Sequence, residues 1–400
     1  MNTAGLYVHI PFCASKCAYC DFVSEPGDSA AMDRMRKAII RHIKEAGATA
    51  PKGGGPAVDT VYFGGGTPTY FGDKRLLSLL GIIGKRFRLT RDAEITAECN
   101  PDFADAKLLK SMYKGGFNRL SIGAQSFDDG TLQTLGRRHT AADTEAAVRN
   151  ARDAGFRNLS LDLMYGLPGQ SPEQWDETLR RAVALKPEHI SCYALKIESD
   201  SLLFNRVGAN CVRPQTLGET GGRTQCASTA WELPSDDITA DMYLAAVEFL
   251  SRSGYAQYEI SNFARPGYES RHNLKYWRMQ DYLGFGPAAH SDYHQRRFHT
   301  ENDPGAYAEA VLNGEEVIRA LERLPDTERA VEYIMLGLRL VHGISGNEYA
   351  RRFRADFTAI ERKLEKFAVH GLAERFGDRW RLTPKGFLVQ NQIVGKLLER

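Results

Sequence analysis

Through the first two thirds of this 400-residue chain, short β-rich runs alternate with helical runs, and no other feature restricts the fold as tightly. Strands are expected at Leu6–Ile10, Thr60–Phe63, Glu94–Glu98, Arg119–Ile122, Leu159–Met164 and Ile190–Tyr193. Helices are expected between them at Ala30–Ala46, Lys74–Lys85, Asp105–Lys114, Ala141–Ala154 and Glu173–Leu185. Glycines stand where helices stop: Gly47 after the first, Gly115-Gly116 after the third, Gly155 after the fourth. Ser171-Pro172 opens the fifth with an N-cap and a proline at the first helical position. Neighbouring parallel strands need a crossover, usually a helix, so this alternation implies a parallel sheet wrapped by helices. An open doubly wound sheet and a barrel-like closure both satisfy the pattern.

The rest of the chain reads differently. A polar, Gly- and Thr-rich segment over 205–237 has the composition of a long insertion or disordered loop. A helix at Asp241–Ser251 and a strand at Gln257–Ser261 follow, then an aromatic-rich block, "NLKYWRMQDYLGFGPAAHSDYH". Helical runs at Thr327–Val341, Asn347–Arg354 and Phe357–His370 precede a hairpin turning at Gly377-Asp378, which suggests a small winged-helix-like domain. Its basic residues (Arg351, Arg352, Arg354, Lys363, Lys366) are interleaved with acids. With 52 basic against 50 acidic residues overall, nothing points to nucleic acid. No run of 18 apolar residues predicts a membrane span. The first residues lack the basic and apolar regions of a secretory signal. Seven irregularly spaced cysteines suit reduced thiols, so a cytoplasmic location is expected.

Three of those cysteines fall within eight residues, Cys13, Cys17 and Cys20, directly after the first strand. The spacing C-x3-C-x2-C suits a loop wrapping a compact metal group. Soft thiolates select zinc, copper(I) or iron–sulfur. A cubane iron–sulfur cluster takes four ligands, so three cysteines leave one iron with an open position. Cys99, Cys192, Cys211 and Cys226 show no ligand spacing and read as bystanders.

This cysteine pattern after the first strand of a βα series resembles the radical S-adenosylmethionine superfamily. The flanking "YVHIPFC" and "CDF" are similar to its oxygen-independent coproporphyrinogen III oxidase-like branch. The resemblance implies an α/β fold, an incomplete (β/α)6 barrel followed by the mainly helical C-terminal domain, with the site at the C-terminal ends of the strands. It divides the chain into a core over 1–236, a connecting region over 237–310 and a C-terminal domain over 311–400. It implies a [4Fe-4S] cluster on Cys13, Cys17 and Cys20, whose open iron takes the amino and carboxylate groups of S-adenosylmethionine. "VYFGGGTPT" then resembles the family's GGxTP element, with Gly65, Gly66 and Thr67 at the methionyl amino group. Glu98, Gln125, Arg137 and Asp162 match positions that hold the cofactor's ribose, carboxylate and adenine regions. Tyr7 and Tyr19 match further contacts. Physically, charged groups at the ends of apolar strands are costly unless they pair or bind something. An Arg137–Asp162 ion pair is the competing reading.

Two departures narrow the function. Oxidases of this branch carry a fourth cysteine two residues after the third, where this chain has Phe22, and they begin with an extension that the chain lacks. The stretch "RHNLKYW" resembles a heme-binding motif, HNxxYW, and implicates His272, Asn273, Tyr276 and Trp277. Imidazole is a common axial ligand of heme iron and aromatic faces pack on porphyrin. The implied function is a heme chaperone that passes heme to acceptor proteins of unknown identity. Radical-driven decarboxylation of coproporphyrinogen III is the alternative. His290, His294 and His299 read as a polar loop. Gly284, Gly286 and Ala289 fit G-x-G-x-x-A but read as a turn, lacking a βαβ setting. Whether the chain forms a homodimer the sequence leaves open.

Overall fold

The structure is a computed structural model describing residues 3–49, 57–198, 201, 203–204 and 232–399. The polar segment is outside the described residues up to residue 231, and so are Cys211 and Cys226. All six expected strands are present: β1 Thr3–Ile10, β2 Ala57–Gly65, β3 Leu89–Cys99, β4 Arg119–Gln125, β5 Leu159–Tyr165 and β6 His189–Ala194. They run parallel, each beside the one before it. A doubly wound sheet would reverse its order at a switch point. Sequential order without reversal is the arc of a barrel.

The arc does not close. β7 (Ala256–Glu259) and β8 (Asn262–Ala264) extend it antiparallel beyond β6. On the other side β9 (Tyr282–Phe285) pairs parallel with β1, and β10 (His290–Tyr293), β11 (Arg296–Thr300) and β12 (Ile318–Arg323) follow antiparallel. The region after residue 237 therefore continues the sheet of the first half.

The helices form where their caps and apolar stripes place them. Thr140 and Asp143 build a capping box on Ala141–Ala154, and Ser171 and Gln174 build another on Pro172–Ala184. Leu76, Leu79, Leu80 and Ile83 line the buried stripe of Asp73–Arg86. Gly155 ends its helix in the left-handed region, at φ 115°. Gly47 does not end the first helix, which runs on from Ser29 to Thr49. A Cβ at Gly47 would stand 2.8 Å from Cβ of Arg86, so the glycine lets the first helix approach the end of the second.

The C-terminal unit is a separate three-stranded antiparallel sheet, β13 (Ile344–Ser345), β15 (Arg379–Leu382) and β14 (Ala373–Phe376) in that order. Its hairpin turns at Gly377, with φ 62°. Helices Asp326–Gly337, Gly346–Phe353 and Thr358–Val369 precede the hairpin, and Pro384–Leu388 and Gln390–Leu398 follow it. The unit is tied to the edge of the large sheet by Ile260 N–H to the Arg339 carbonyl (2.9 Å) and Val341 N–H to the Tyr258 carbonyl (3.1 Å). Among the described residues no helix is long and apolar enough to cross a membrane.

Candidate cofactor site

The cysteine loop leaves β1 and is stitched to the end of β2. Gly66 N–H donates to the Ile10 carbonyl and Thr67 N–H to the Phe12 carbonyl, both at 2.7 Å. A side chain at Gly66 would meet the Phe12 carbonyl oxygen at 2.5 Å, so only glycine permits this approach. Cys13 N–H donates to the Glu25 carbonyl (3.1 Å), and Cys20 N–H to the Cys17 carbonyl (3.2 Å), which closes a tight turn between the second and third thiols. Cys13 Sγ is 3.4 Å from Thr67 Oγ1, and Arg137 Nη1 is 3.6 Å from Cys17 Sγ.

Burial pushes the Cys20 thiol up to about 11 and the Cys13 thiol in the same direction. A bound metal would favour the thiolate form of these groups against that burial. Among the described residues no three His, Cys, Asp or Glu side chains are grouped for a single metal ion. Zinc, with sulfur at about 2.3 Å, would draw three thiols to within about 4 Å of one another. A cubane holds its ligand sulfurs farther apart. The soft donor set and the adjacent guanidinium thus fit an iron–sulfur cluster.

Beyond the loop, the strand ends bring the other candidates to one face. Tyr7 is registered with Tyr62, Glu98 with Ser121 and Asp162 with Ser191. Glu98 accepts from Tyr62 O–H (2.8 Å) and from Gly65 N–H (3.1 Å). Burial, with the charge of Asp162 added, pushes its carboxyl up to about 7 against the pull of those hydrogen bonds. Asp162 accepts from three serine hydroxyls, Ser191 (2.7 Å), Ser121 (2.9 Å) and Ser160 (3.2 Å), yet burial still raises it.

Arg137 donates through Nη2 to Asn100 Oδ1 (3.0 Å) and the Gly123 carbonyl (2.7 Å), and among the described residues it forms no ion pair with Asp162. Asn100 donates in turn to Thr67 Oγ1 (3.1 Å), linking the ends of β2, β3 and β4 through one chain of bonds. Gln125 ends β4 at φ 61°, a left-handed backbone rare outside glycine and common where a site aims a side chain. Tyr19 packs beside Leu135, Met164 and Leu195, and Tyr7 O–H bonds His9 Nδ1 (3.0 Å). At Gly64 a Cβ would stand 3.0 Å from the Glu98 carboxyl, so the open floor beside that group depends on glycine.

Sequence reasoning passed over Asn100, His9, Tyr62 and the three serines. Period-two spacing carried part of the signal: Ser160 alternates with Asp162, whereas the register of β4 shifts between Ile122 and Gln125 and breaks the alternation there. Arg119 was also missed. It is 1% exposed, its Nε has no hydrogen-bond partner among the described residues, and its charge lowers the cost of ionising Glu98 and Asp162.

The "RHNLKYW" residues lie apart from the cysteines, against the first halves of β1–β3. They form the helix Arg271–Trp277, capped by Ser270. His272 is 1% exposed, with Nδ1 bonded to Thr60 Oγ1 (2.9 Å) and Nε2 to Tyr276 O–H (2.8 Å). Burial, helped by Lys275, pushes it down to about 3, so the ring is neutral. Asn273 N–H bonds the Ser270 cap (3.4 Å), and Trp277 lies under the Arg339 guanidinium at 5.3 Å. His290 and His299 form a stacked cross-strand pair of β10 and β11, and His294 sits in the turn between those strands. Gly284 is a residue of β9, and Gly286, at φ 101°, opens the turn after it. Phe22, at the position of the oxidases' extra cysteine, is 62% exposed.

Residues 7–182 match the Radical SAM superfamily and residues 324–389 match the HemN C-terminal domain. Partial barrel, three-cysteine loop and superfamily match together define a radical SAM protein. The chain is 34% identical over 398 residues to the heme chaperone HemW of Mycobacterium tuberculosis, covering 98% of this chain and 94% of that one. It is 32% identical over 394 residues to the heme chaperone HemW of Bacillus subtilis, covering 98% of each. The chain belongs to the HemW family. Among solved structures, coproporphyrinogen III oxidase (HemN) from Escherichia coli shares its fold, with a TM-score of 0.79 at 23% identity over 99% of this chain and 90% of that one.

Proposed function

We propose that this chain is a heme chaperone: it binds heme, passes it to acceptor proteins, and carries a [4Fe-4S] cluster with exchangeable S-adenosylmethionine. The observation that carries the cofactor reading is the loop of three thiols seated on Gly66 and Thr67, with Arg137 beside Cys17. In this reading Cys13, Cys17 and Cys20 hold three irons, and the cluster supplies a fourth iron with an open position. Gly65, Gly66 and Thr67 offer backbone groups at close range to the amino end of S-adenosylmethionine. Glu98 and Asp162 are acceptors for hydroxyl groups, Arg137 and Gln125 are donors for its carboxylate and base, and Tyr7 and Tyr19 shield the site from water. His272, Asn273, Tyr276 and Trp277 form the heme motif. Iron at His272 Nε2 would displace the Tyr276 hydroxyl bonded there, which leaves Trp277 as the aromatic member clear of that hydrogen-bond pair.

Phe22 in place of a fourth cysteine disfavours the oxidase alternative. We further propose that the chain works in the cytoplasm, and that 1–236, 237–310 and 311–400 act as core, connecting region and C-terminal domain.

The test is anaerobic reconstitution with iron and sulfide. Four irons per chain, an electron resonance signal altered by S-adenosylmethionine, a Soret band on adding hemin, and transfer of that heme to an apo-hemoprotein are expected. A colourless product would sink the cluster assignment. Protoporphyrinogen formed from coproporphyrinogen III would replace the chaperone with the oxidase.

A further inference from the structure

The heme motif splits between two environments. His272 faces the barrel interior, whereas Trp277, at the end of the same helix, opens on a cleft of about 610 Å³ between the large sheet and the C-terminal unit. That volume lies in the range of small-molecule sites, roughly 300–1,000 Å³. The backbone hydrogen bonds of Ile260 with Arg339 and of Val341 with Tyr258 anchor the wall that carries Leu340 and His342 to the edge of the large sheet.

Its chemistry is that of a site for a flat, dianionic, metal-bearing ligand. Arg278 enters from the helix side, Arg352 and Arg379 from the C-terminal unit. Against them stand Asp281 and Glu348. Asp281 accepts from His294 N–H (3.2 Å), and Glu348 is 3.8 Å from Arg379. Arg278 and Arg352 form no ion pair among the described residues, and with three arginines facing two carboxylates the cleft keeps one net positive charge. His342 projects from the same wall. It is exposed, and its ring has no hydrogen-bond partner among the described residues, although its carbonyl accepts from Arg379 Nε (3.0 Å). Trp277 and Met279 supply the apolar, polarisable surface.

We propose that heme docks in this cleft, with His342 ligating the iron, Arg278 and Arg352 pairing with the two propionates, and Trp277 against the porphyrin. The proposal rests on the heme-chaperone reading and moves the iron ligand from His272 to His342. An exposed ligand on the rim of an open cleft suits a cargo that has to leave again. A ligand at His272 would require the heme to enter the packed interior of the barrel.

The experiment is hemin titration of the full chain, followed by absorption. His342→Ala should shift the Soret maximum and weaken binding about tenfold, with the wild-type spectrum restored by free imidazole. The double variant Arg278→Gln/Arg352→Gln should weaken hemin about tenfold, yet leave an iron porphyrin lacking propionates unaffected. All three residues are exposed, so the variants keep the fold. Wild-type spectra and affinities in both variants would overturn the cleft and leave the heme reading standing. A wild-type chain that takes up no hemin would overturn both.

Discussion

Glu98→Gln isolates what the barrel interior does to a single carboxyl. Burial, reinforced by Asp162, moves Glu98 from its ordinary 4.5 to about 7. The folded chain therefore holds this proton more tightly than the unfolded chain does. The associated stability is present in full below about pH 4.5 and is lost as pH rises through about 7. At about 1.4 kcal/mol per pH unit, the ionised carboxyl costs about 3 kcal/mol at pH 8. Glutamine is neutral throughout and still accepts from Tyr62. Its amide cannot accept from Gly65 N–H, which costs about 1 kcal/mol. The variant should be about 2 kcal/mol more stable than wild type at pH 8 and about 1 kcal/mol less stable at pH 4. Urea unfolding of both proteins without cluster or S-adenosylmethionine, followed by tryptophan fluorescence from pH 4 to 8, reads the difference. Stability curves that run parallel across that range would refute the burial account.

Three other perturbations probe separate parts of the argument. Gly66→Ala places a Cβ 2.5 Å from the Phe12 carbonyl oxygen and forces apart two backbone hydrogen bonds; it should cost about 2–4 kcal/mol and abolish iron uptake, and full iron loading with an unchanged melt would contradict the stitching role. Cys17→Ser should lose iron on anaerobic reconstitution whereas Cys99→Ser, buried in β3, should keep it; equal iron contents would remove the loop from the cluster. Arg329→Met strands the buried Asp292 carboxylate, which Arg329 grips with both terminal nitrogens, leaving it, among the described residues, Arg297 at 3.4 Å. A loss of about 3 kcal/mol in unfolding free energy is expected, and a wild-type urea midpoint would show that the pair contributes nothing net.

The six parallel strands were legible because each is an apolar run of the right length, bounded by helix signals that local chemistry sets. The cofactor face was legible because Glu98, Gln125 and Asp162 are charged or polar groups in or at the ends of successive strands, where burial is costly unless they pair or bind something. The strands β9 to β12 were not. They are four to six residues long, β10 to β12 are rich in His, Asp and Arg, and β9 pairs with β1, more than 270 residues away in sequence. No local propensity encodes such a contact. Gly47 shows the same limit in miniature: the residue that stops a helix and the residue that lets two helices touch are both glycine.

The heme motif is the sharpest case. At 3.6 residues per turn, His272 and Tyr276 share one helix face, while Asn273 and Trp277 share the next, so the spacing itself divides the motif in two. What spacing cannot say is which face meets a cavity. Thr60, the partner that completes His272's hydrogen bonding, is 212 residues away in sequence, and His342, which stands free beside Trp277's cleft, is 65 residues further on. A histidine in a motif and a histidine outside it exchange roles once the fold decides which one has already spent both ring nitrogens.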